Sequence, residues 1–241
     1  MNKYKYQEME QLFVKGIRLN RNSIEDFDKY PFNIPIIKNL TEIQFEKPVT
    51  FIMGENGSGK STIIESLAIS LGLSAEGGTR NMVYETYNST SSLDQYLTII
   101  KSGLKPQWKY FLRAETFYTM AQASSQYNFG DTSIFNLSHG EAFNELFSGF
   151  SPNGLYFMDE PESALSPKSQ MRLLSRIHSL AKNSQFIIVT HSPILLAYYD
   201  GQILNADNDL KPIAYKDTEI YSIYRHFLEC PEKMQKHLFD D

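Results

Sequence analysis

The stretch Gly54–Thr62 reads G-E-N-G-S-G-K-S-T and follows the apolar run Val49–Met53. It matches G-x-x-x-x-G-K-[ST], and an amphipathic segment follows it, so strand, loop and helix stand in the order that binds phosphate. Glycines let the loop curl until successive N–H groups point at phosphate oxygens, and the helix directs its positive end at the same anion. The sequence therefore predicts a nucleotide-phosphate site rather than a plain glycine turn, made of Gly54, Glu55, Asn56, Gly57, Ser58, Gly59, Lys60, Ser61 and Thr62.

Two side chains of this loop have chemistry beyond that of the backbone. Lys60 would place a compact positive charge near the β- and γ-phosphates, and the Ser61 hydroxyl would coordinate Mg²⁺. The motif predicts nucleotide binding, but by itself it does not identify the reaction.

Two carboxylates follow a second apolar run, Leu155–Met158. Asp159 is expected at the tip of a buried strand, where it can hold Mg²⁺ directly or through water. Glu160 is expected to face the attacking water as a general base or an orienting group. Two solvated carboxylates in a turn are the alternative, which the upstream phosphate loop disfavours.

His191 directly follows the apolar run Phe186–Thr190. An imidazole at the carboxyl end of a strand, in a sheet that already holds a nucleotide, can reach the γ-phosphate. A single histidine after a strand is more often incidental, so this prediction depends on the neighbouring motifs.

The rest of the chain alternates apolar runs with amphipathic segments. Ser166 and Pro167 favour a helix start, and the helix is predicted to extend to about Lys182. Its inward face is predicted to carry Met171, Leu174, Ile177 and Leu180. Strands separated by helices of this length are typical of a parallel sheet in an α/β fold.

Composition excludes several classes of protein. The chain has 241 residues, of which 41 % are hydrophobic and 13 % aromatic, and a single cysteine, Cys230, so it is neither disordered, collagen-like nor disulfide-rich. Its formal net charge is −5. A single cysteine favours a reducing, cytoplasmic location. We expect no membrane span, because no apolar run approaches about 18–20 residues. The acidic balance argues against whole-surface binding to nucleic acid and leaves room only for a local basic patch.

A third motif, Leu137–Glu141, reads L-S-H-G-E and precedes a short amphipathic segment. Alone it is a weak signal, since a serine-capped helix would look the same. However, phosphate loop, L-S-x-G-[EQ], hydrophobic-Asp-Glu and strand-His stand here in the order and rough spacing of one family. Over about residues 13–197 the chain resembles the ABC-type ATPases.

The resemblance implies an α/β P-loop NTPase with a RecA-like core, a small antiparallel β-subdomain and an inserted helical lobe. We expect one domain over 1–241, with the core at about 1–75 and 150–241 and the lobe at about 76–149. The resemblance also implies a homodimer in which two subunits pair head to tail around ATP and Mg²⁺. Each signature would then contact the partner's nucleotide, through Ser138, His139, Gly140 and Glu141.

Two details separate this chain from transporter cassettes, which typically read L-S-G-G-Q and D-E-P-T-S-A-L-D. Here the first motif reads L-S-H-G-E. The second reads D-E-P-E-S-A-L-S and is followed by Pro167, which looks more like the soluble RecF-, SMC- and OLD-like ATPases and compact bacterial ATPases of that class. Ser166 replaces the final aspartate, which puts one usual contact across the dimer in doubt.

Some family positions do not match cleanly. Glu115 or Gln122 is expected in place of the glutamine that senses Mg²⁺ and the γ-phosphate, and Tyr30 or Phe32 in place of the aromatic that stacks on adenine. A basic and aromatic stretch over 101–113 would suit single-stranded nucleic acid, but a solvated face is the favoured interpretation. Its basic members are Lys101, Lys105, Lys109 and Arg113.

Two functions compete. The first is a cytoplasmic ATPase switch in nucleic-acid maintenance or defence, with nucleic acid or a protein as partner. The second is the ATPase subunit of a transporter whose membrane part is another chain. The length leads us to expect an ATPase module without a long coiled coil, a nuclease domain or a membrane domain.

Overall fold

The computed structural model describes residues 12–78, 91–114 and 147–239. In chain order, its strands and helices are β1 (Val14–Leu19), α1 (Pro35–Lys38), β2 (Glu42–Gln44), β3 (Val49–Met53), α2 (Lys60–Ser70), β4 (Leu97–Lys101), β5 (Trp108–Arg113), β6 (Gly154–Asp159), α3 (Pro167–Leu180), β7 (Gln185–Val189), α4 (Pro193–Leu196), β8 (Gln202–Asn205), β9 (Lys211–Pro212), α5 (Glu219–Glu229) and α6 (Pro231–Phe239).

A six-stranded sheet in the order β5-β6-β7-β3-β8-β9 forms the centre of the described structure. Its first five strands run parallel, and β9 pairs antiparallel with β8. Every residue of β3, β6 and β7 is buried, as expected when both faces of a parallel sheet are covered. The predicted α/β class is therefore confirmed, and the loops after β3, β6 and β7 leave the sheet at one edge.

A three-stranded antiparallel sheet, in the order β2-β1-β4, packs against α2 and one face of the parallel sheet. Ile17 of this small sheet, Ile64 of α2 and Ile187 of β7 are fully buried in the same apolar cluster. A second cluster covers the opposite face, where α3 packs Leu173 and Ile177 against the sheet. The sheet therefore has an apolar layer on each side.

Helix α3 begins as predicted, because the Ser166 side chain accepts a hydrogen bond from the Ser169 amide. The prediction that Met171 faces inward is wrong. Its side chain is 57 % exposed, and Leu173 is fully buried instead. The buried face is set by the spacing of Leu173, Ile177 and Leu180, and Met171 lies about 200° around the helix from Leu173.

Part of the range 76–149 belongs to the two sheets. Strand β4 lies in the antiparallel sheet and β5 forms an edge of the parallel sheet. Residues 115–146 lie outside the described residues, so the division into core and helical lobe stays a prediction. None of the described helices is both long and apolar enough to cross a membrane.

The side chain of Gln185 joins the two sheets. It is fully buried at the start of β7, and its Oε1 accepts hydrogen bonds from the amides of Phe13 (3.0 Å) and Val14 (2.9 Å). Its Nε2 donates to the carbonyl of Val14 at 2.7 Å. One amide thus pairs three buried backbone groups where β1 enters the fold.

We expect Gln185→Ala to lower the free energy of unfolding by roughly 2–4 kcal/mol, because three buried backbone groups lose their partner. Urea denaturation would measure the change. Gln44→Ala is the matched control, since Gln44 is exposed and its side chain, among the bonds described, donates only to Glu42. It should change stability by less than about 0.5 kcal/mol. Equal effects of the two substitutions would contradict the assignment.

Candidate functional site

The phosphate loop leaves β3 in a conformation that requires glycine. Gly54 has φ +150°, and a Cβ there would lie 2.7 Å from the Ala206 Cβ. Gly59 has φ +99°, and its Cβ would lie 2.8 Å from the Ile34 Cγ2. Both positions combine a positive φ with a close approach, so a side chain at either would distort the loop.

The side chain of Lys60 is folded into this loop. It is 4 % exposed, and its Nζ donates to the carbonyls of Gly54 (2.8 Å) and Glu55 (2.6 Å). Burial lowers the pKa of Lys60, and the carboxylates of Glu160, Asp207, Asp159 and Glu55 oppose that shift. The ammonium therefore lies at the centre of the curl, among acidic groups.

A hydroxyl and a carboxylate meet where α2 faces the end of β6. The Ser61 Oγ donates to the Asp159 Oδ1 at 3.0 Å, and Asp159 is 7 % exposed. Hard oxygen donors of this kind suit Mg²⁺. Within the described ranges no group of three His, Cys, Asp or Glu residues could hold a metal, so Mg²⁺ here would also need phosphate oxygens and water.

Glu160 follows Asp159 in the left-handed conformation, with φ +49°. Its amide donates to the Val189 carbonyl at 3.0 Å, and the Ser163 hydroxyl donates to its carbonyl at 2.9 Å. Such backbone is costly for a residue other than glycine and concentrates at functional sites. These two bonds fix the backbone of Glu160, whose side chain is 41 % exposed.

His191 lies beside Glu160. The His191 Nε2 is 3.5 Å from the Glu160 Oε1 and, although buried, has no hydrogen-bond partner within the described part of the chain. The backbone amide of His191 donates to the Glu162 Oε1 at 2.6 Å. Burial raises the pKa of Glu162, and the bond from the His191 amide opposes that shift.

Two further contacts fix the loop after β7. The Ser192 hydroxyl donates to the Gln170 Oε1 at 2.5 Å and accepts the amides of Ile194 and Leu195. The Gln170 Nε2 donates to the Leu165 carbonyl at 3.0 Å. The loop that carries His191 is thereby attached to the first turn of α3.

The carboxylate of Asp207 supports the phosphate loop from the other side. Both of its oxygens lie 3.0 Å from the amide of Glu55, which donates to them. Asp207 follows β8, the strand that pairs with β3 in parallel. The loop therefore has a fixed anchor on the neighbouring strand.

Arg113 of the basic stretch lies at the site rather than on a solvated face. Its Nη1 donates to the Glu65 Oε2 at 2.7 Å, and its Nε is 3.8 Å from the Asp159 Oδ2. Lys109 donates to the Leu71 carbonyl at 2.6 Å, whereas Lys101 and Lys105 are exposed. Two of the four basic side chains thus bind within the protein, which weakens the case for a nucleic-acid surface.

Other predicted positions have different outcomes. Ser138, His139, Gly140 and Glu141 lie outside the described residues, and so do both candidates for the glutamine position, Glu115 and Gln122. Of the two aromatic candidates, Phe32 is buried against Tyr96, with ring centroids 4.9 Å apart. Tyr30 is 61 % exposed and is the accessible one.

A family model described as "AAA domain" matches residues 23–149, just over half of the chain. The chain belongs to this family of P-loop ATPases. A second AAA-domain model matches residues 145–197, and its description names the AbiEii toxin and a type IV TA system. The predicted P-loop ATPase domain is confirmed at the level of the family.

Two curated relatives match parts of the ATPase. A protein of Sulfurisphaera tokodaii, named as an ABC transporter ATP-binding protein, is 25 % identical over 196 residues, which are 73 % of this chain and 41 % of that protein. The DNA repair protein RecN of Streptomyces coelicolor is 32 % identical over 59 residues, or 24 % of this chain and 10 % of RecN. The chain therefore spans less than half the length of either relative.

Two solved structures are similar to the ATPase. CbiO1 from Clostridium perfringens, part of the ABC transporter complex cbiONQ, has a TM-score of 0.47 at 15 % identity, with 95 % of this chain and 100 % of that chain covered. The SMC head domain from Thermotoga maritima has a TM-score of 0.43 at 19 % identity, with 80 % of this chain and 95 % of that chain covered.

Sequence reasoning missed several residues that shape the site of this ATPase. Glu162 lies within the acidic motif, so its closeness in sequence to Asp159 and Glu160 could have indicated a place at the site. Asp207 and Gln170 have no motif of their own, and only strand order and helix packing bring them to the loops. No feature of the sequence alone identified them.

The buried carboxyl of Glu162 predicts a pH effect on the stability of the ATPase. Its pKa is raised above 4.5 in the folded state, so the native protein binds more protons and this group's contribution to stability falls as pH rises through the raised pKa. Glu162→Gln lacks this pH-dependent contribution, and we expect its Tm to rise relative to that of the wild type as the pH increases above 4.5.

Thermal unfolding across this pH range would measure the difference. Glu232→Gln, which removes an exposed carboxylate of α6, serves as the control and should run parallel to the wild type. A Glu162→Gln curve that is also parallel to the wild type would contradict the prediction.

Proposed function

We propose that this ATPase binds Mg·ATP at the edge of the sheet formed by the ends of β3, β6 and β7, and that hydrolysis there drives a conformational switch. The observation that carries the proposal is the convergence of Lys60, Ser61, Asp159 and Glu160. The Ser61–Asp159 contact is 3.0 Å, and Glu160 and Asp159 both act electrostatically on Lys60.

The phosphates bind to the loop amides and to Lys60. In the described state the Lys60 ammonium is satisfied by two carbonyls of its own loop, and phosphate oxygens replace them when the nucleotide enters. The positive end of α2 adds to the attraction. Ser61 and Asp159 would hold Mg²⁺, which would neutralise charge on the phosphates.

Glu160 takes the proton of the attacking water. Its strained backbone presents a partly exposed carboxylate beside His191, at 3.5 Å. The unpaired Nε2 of His191 is a free partner for an oxygen of the γ-phosphate. The bond from the His191 amide to Glu162 keeps the imidazole at this position.

The dimer and its role follow from the resemblance. Two copies of the chain pair head to tail, and the signature Ser138–Glu141 of one copy completes the site of the other. ATP joins the copies and hydrolysis releases them, so the output is a change of assembly. We place the protein in the cytoplasm, in nucleic-acid maintenance or defence, with RecN's name and the D-E-P-E form of the acidic motif as support.

A transporter subunit is the second candidate, and the name of the Sulfurisphaera tokodaii relative supports it. The two roles differ in their partner. Stimulation of ATP hydrolysis by DNA or RNA favours the first role, and co-purification with a membrane protein favours the second.

Lys60→Ala tests the phosphate site. We expect the affinity for ATP to fall by about 10- to 100-fold, because a charge-assisted contact with phosphate is lost. Calorimetric titration with ATP would measure it. Lys47→Ala is the control, since Lys47 pairs with Asp200 near the opposite end of β3 and should leave the affinity unchanged. Unchanged affinity in Lys60→Ala would refute the phosphate site.

Glu160→Gln tests the chemistry and the dimer together. We expect ATP to bind normally, the hydrolysis rate to fall by about 100-fold or more, and a dimer to accumulate with Mg·ATP. Phosphate release and analytical ultracentrifugation are the measurements. Glu46→Gln, at an exposed position, should behave as wild type. A Glu160→Gln protein that stays monomeric at saturating Mg·ATP would refute the head-to-tail dimer.

A further inference from the structure

Four side chains form a compact square between α2 and the ends of β5 and β6. Ser61 and Glu65 lie four residues apart, on one face of α2. Arg113 and Asp159 are direct partners in the parallel register of β5 and β6. Helix and strands therefore face each other through two pairs, Ser61 with Asp159 and Glu65 with Arg113.

One atom of this square has an unused hydrogen-bonding capacity. The Nε of Arg113 is buried and has no hydrogen-bond partner among the described residues, although it lies 3.8 Å from the Asp159 Oδ2. The other end of the guanidinium is fixed, because Nη1 donates to Glu65 at 2.7 Å and to the Ala75 carbonyl at 3.2 Å. The guanidinium is thereby held with its Nε near the second oxygen of Asp159.

We propose that Arg113 is a positioning residue of the magnesium site and that it acts by orienting the carboxylate of Asp159. This inference rests on the proposed function, in which Ser61 and Asp159 hold Mg²⁺. With Oδ2 near Arg113, Oδ1 stays beside the Ser61 hydroxyl, and these two oxygens would hold the cation. Glu65 contributes indirectly, because it balances the charge of Arg113 and fixes its plane.

The charge arrangement favours orientation over simple attraction. A lone arginine beside Asp159 would compete with Mg²⁺ for the carboxylate. Here Glu65, with a side chain only 12 % exposed, pairs with Arg113 and offsets its charge. Arg113 then acts on Asp159 mainly as a hydrogen-bond donor. Groups that orient a metal-binding carboxylate in this way are worth about 10- to 100-fold in metal affinity.

The test compares the magnesium requirement of variants with their affinity for nucleotide alone. A fluorescent, non-hydrolysable ATP analogue is bound first in EDTA and then over a titration of Mg²⁺. For Arg113→Gln we expect the Mg²⁺ concentration at half-saturation to rise by about 10-fold or more. Affinity in EDTA should stay near that of the wild type, because the phosphate loop is intact.

Arg113→Lys keeps the charge opposite Glu65 but lacks an Nε–H that can face Asp159 at the same time. We expect the same direction of change, and this variant decides the question if Arg113→Gln does not fold. Arg176→Gln is the matched control, because Arg176 binds only the backbone carbonyls of Phe147, Ser148 and Phe150 among the bonds described. It should lower Tm and leave the magnesium requirement unchanged.

The possible results distinguish a failure of the role of Arg113 from a failure of the proposed Mg·ATP site. A wild-type magnesium requirement in either folded Arg113 variant would overturn the role of Arg113 and leave the proposed function standing. A rise in Arg176→Gln equal to that in Arg113→Gln would also overturn it, because the effect would then be structural. If the wild-type protein binds the analogue without any dependence on Mg²⁺, the proposed magnesium site fails, and the inference fails with it.

Discussion

The burial of one positive charge constrains the architecture around the phosphate loop. Lys60 is almost fully enclosed, and an ammonium in such a place must be paired or hydrogen-bonded. The curl of the loop supplies two carbonyls, and carboxylates from the ends of β6 and β8 supply the opposing charge. Those strands lie in the same sheet as β3, so strand order and loop conformation together keep the charge inside.

The same arrangement explains why the site lies at one edge of the sheet. Parallel strands bring their carboxyl ends together, and β3, β6 and β7 are each followed by a residue or loop that carries candidate functional groups. The phosphate loop follows β3, the acidic pair follows β6 and His191 follows β7. Neighbouring strands therefore set the spacing between groups that are far apart in sequence.

Much of the fold could be predicted from the sequence, since Val49–Met53, Leu155–Met158 and Phe186–Thr190 are apolar runs of strand length bounded by polar motifs. The phosphate loop could also be predicted from the sequence, because its curled backbone requires glycines at fixed positions. The face of α3 was harder to predict. Met171 fits an apolar stripe as well as Leu173 does, and only packing against the sheet decides between them. Arg113 was read as part of a solvated face, because nothing local shows that β5 pairs with β6.

The attachment of the His191 loop to α3 has a mechanical consequence. Gln170, in the first turn of this helix, accepts a hydrogen bond from Ser192. Arg176, almost two turns later, donates to the carbonyls of Phe147, Ser148 and Phe150. A helix of 14 residues is a stiff rod about 21 Å long. A displacement of the loop that carries His191 would therefore be transmitted through α3 to the segment around Phe147–Phe150.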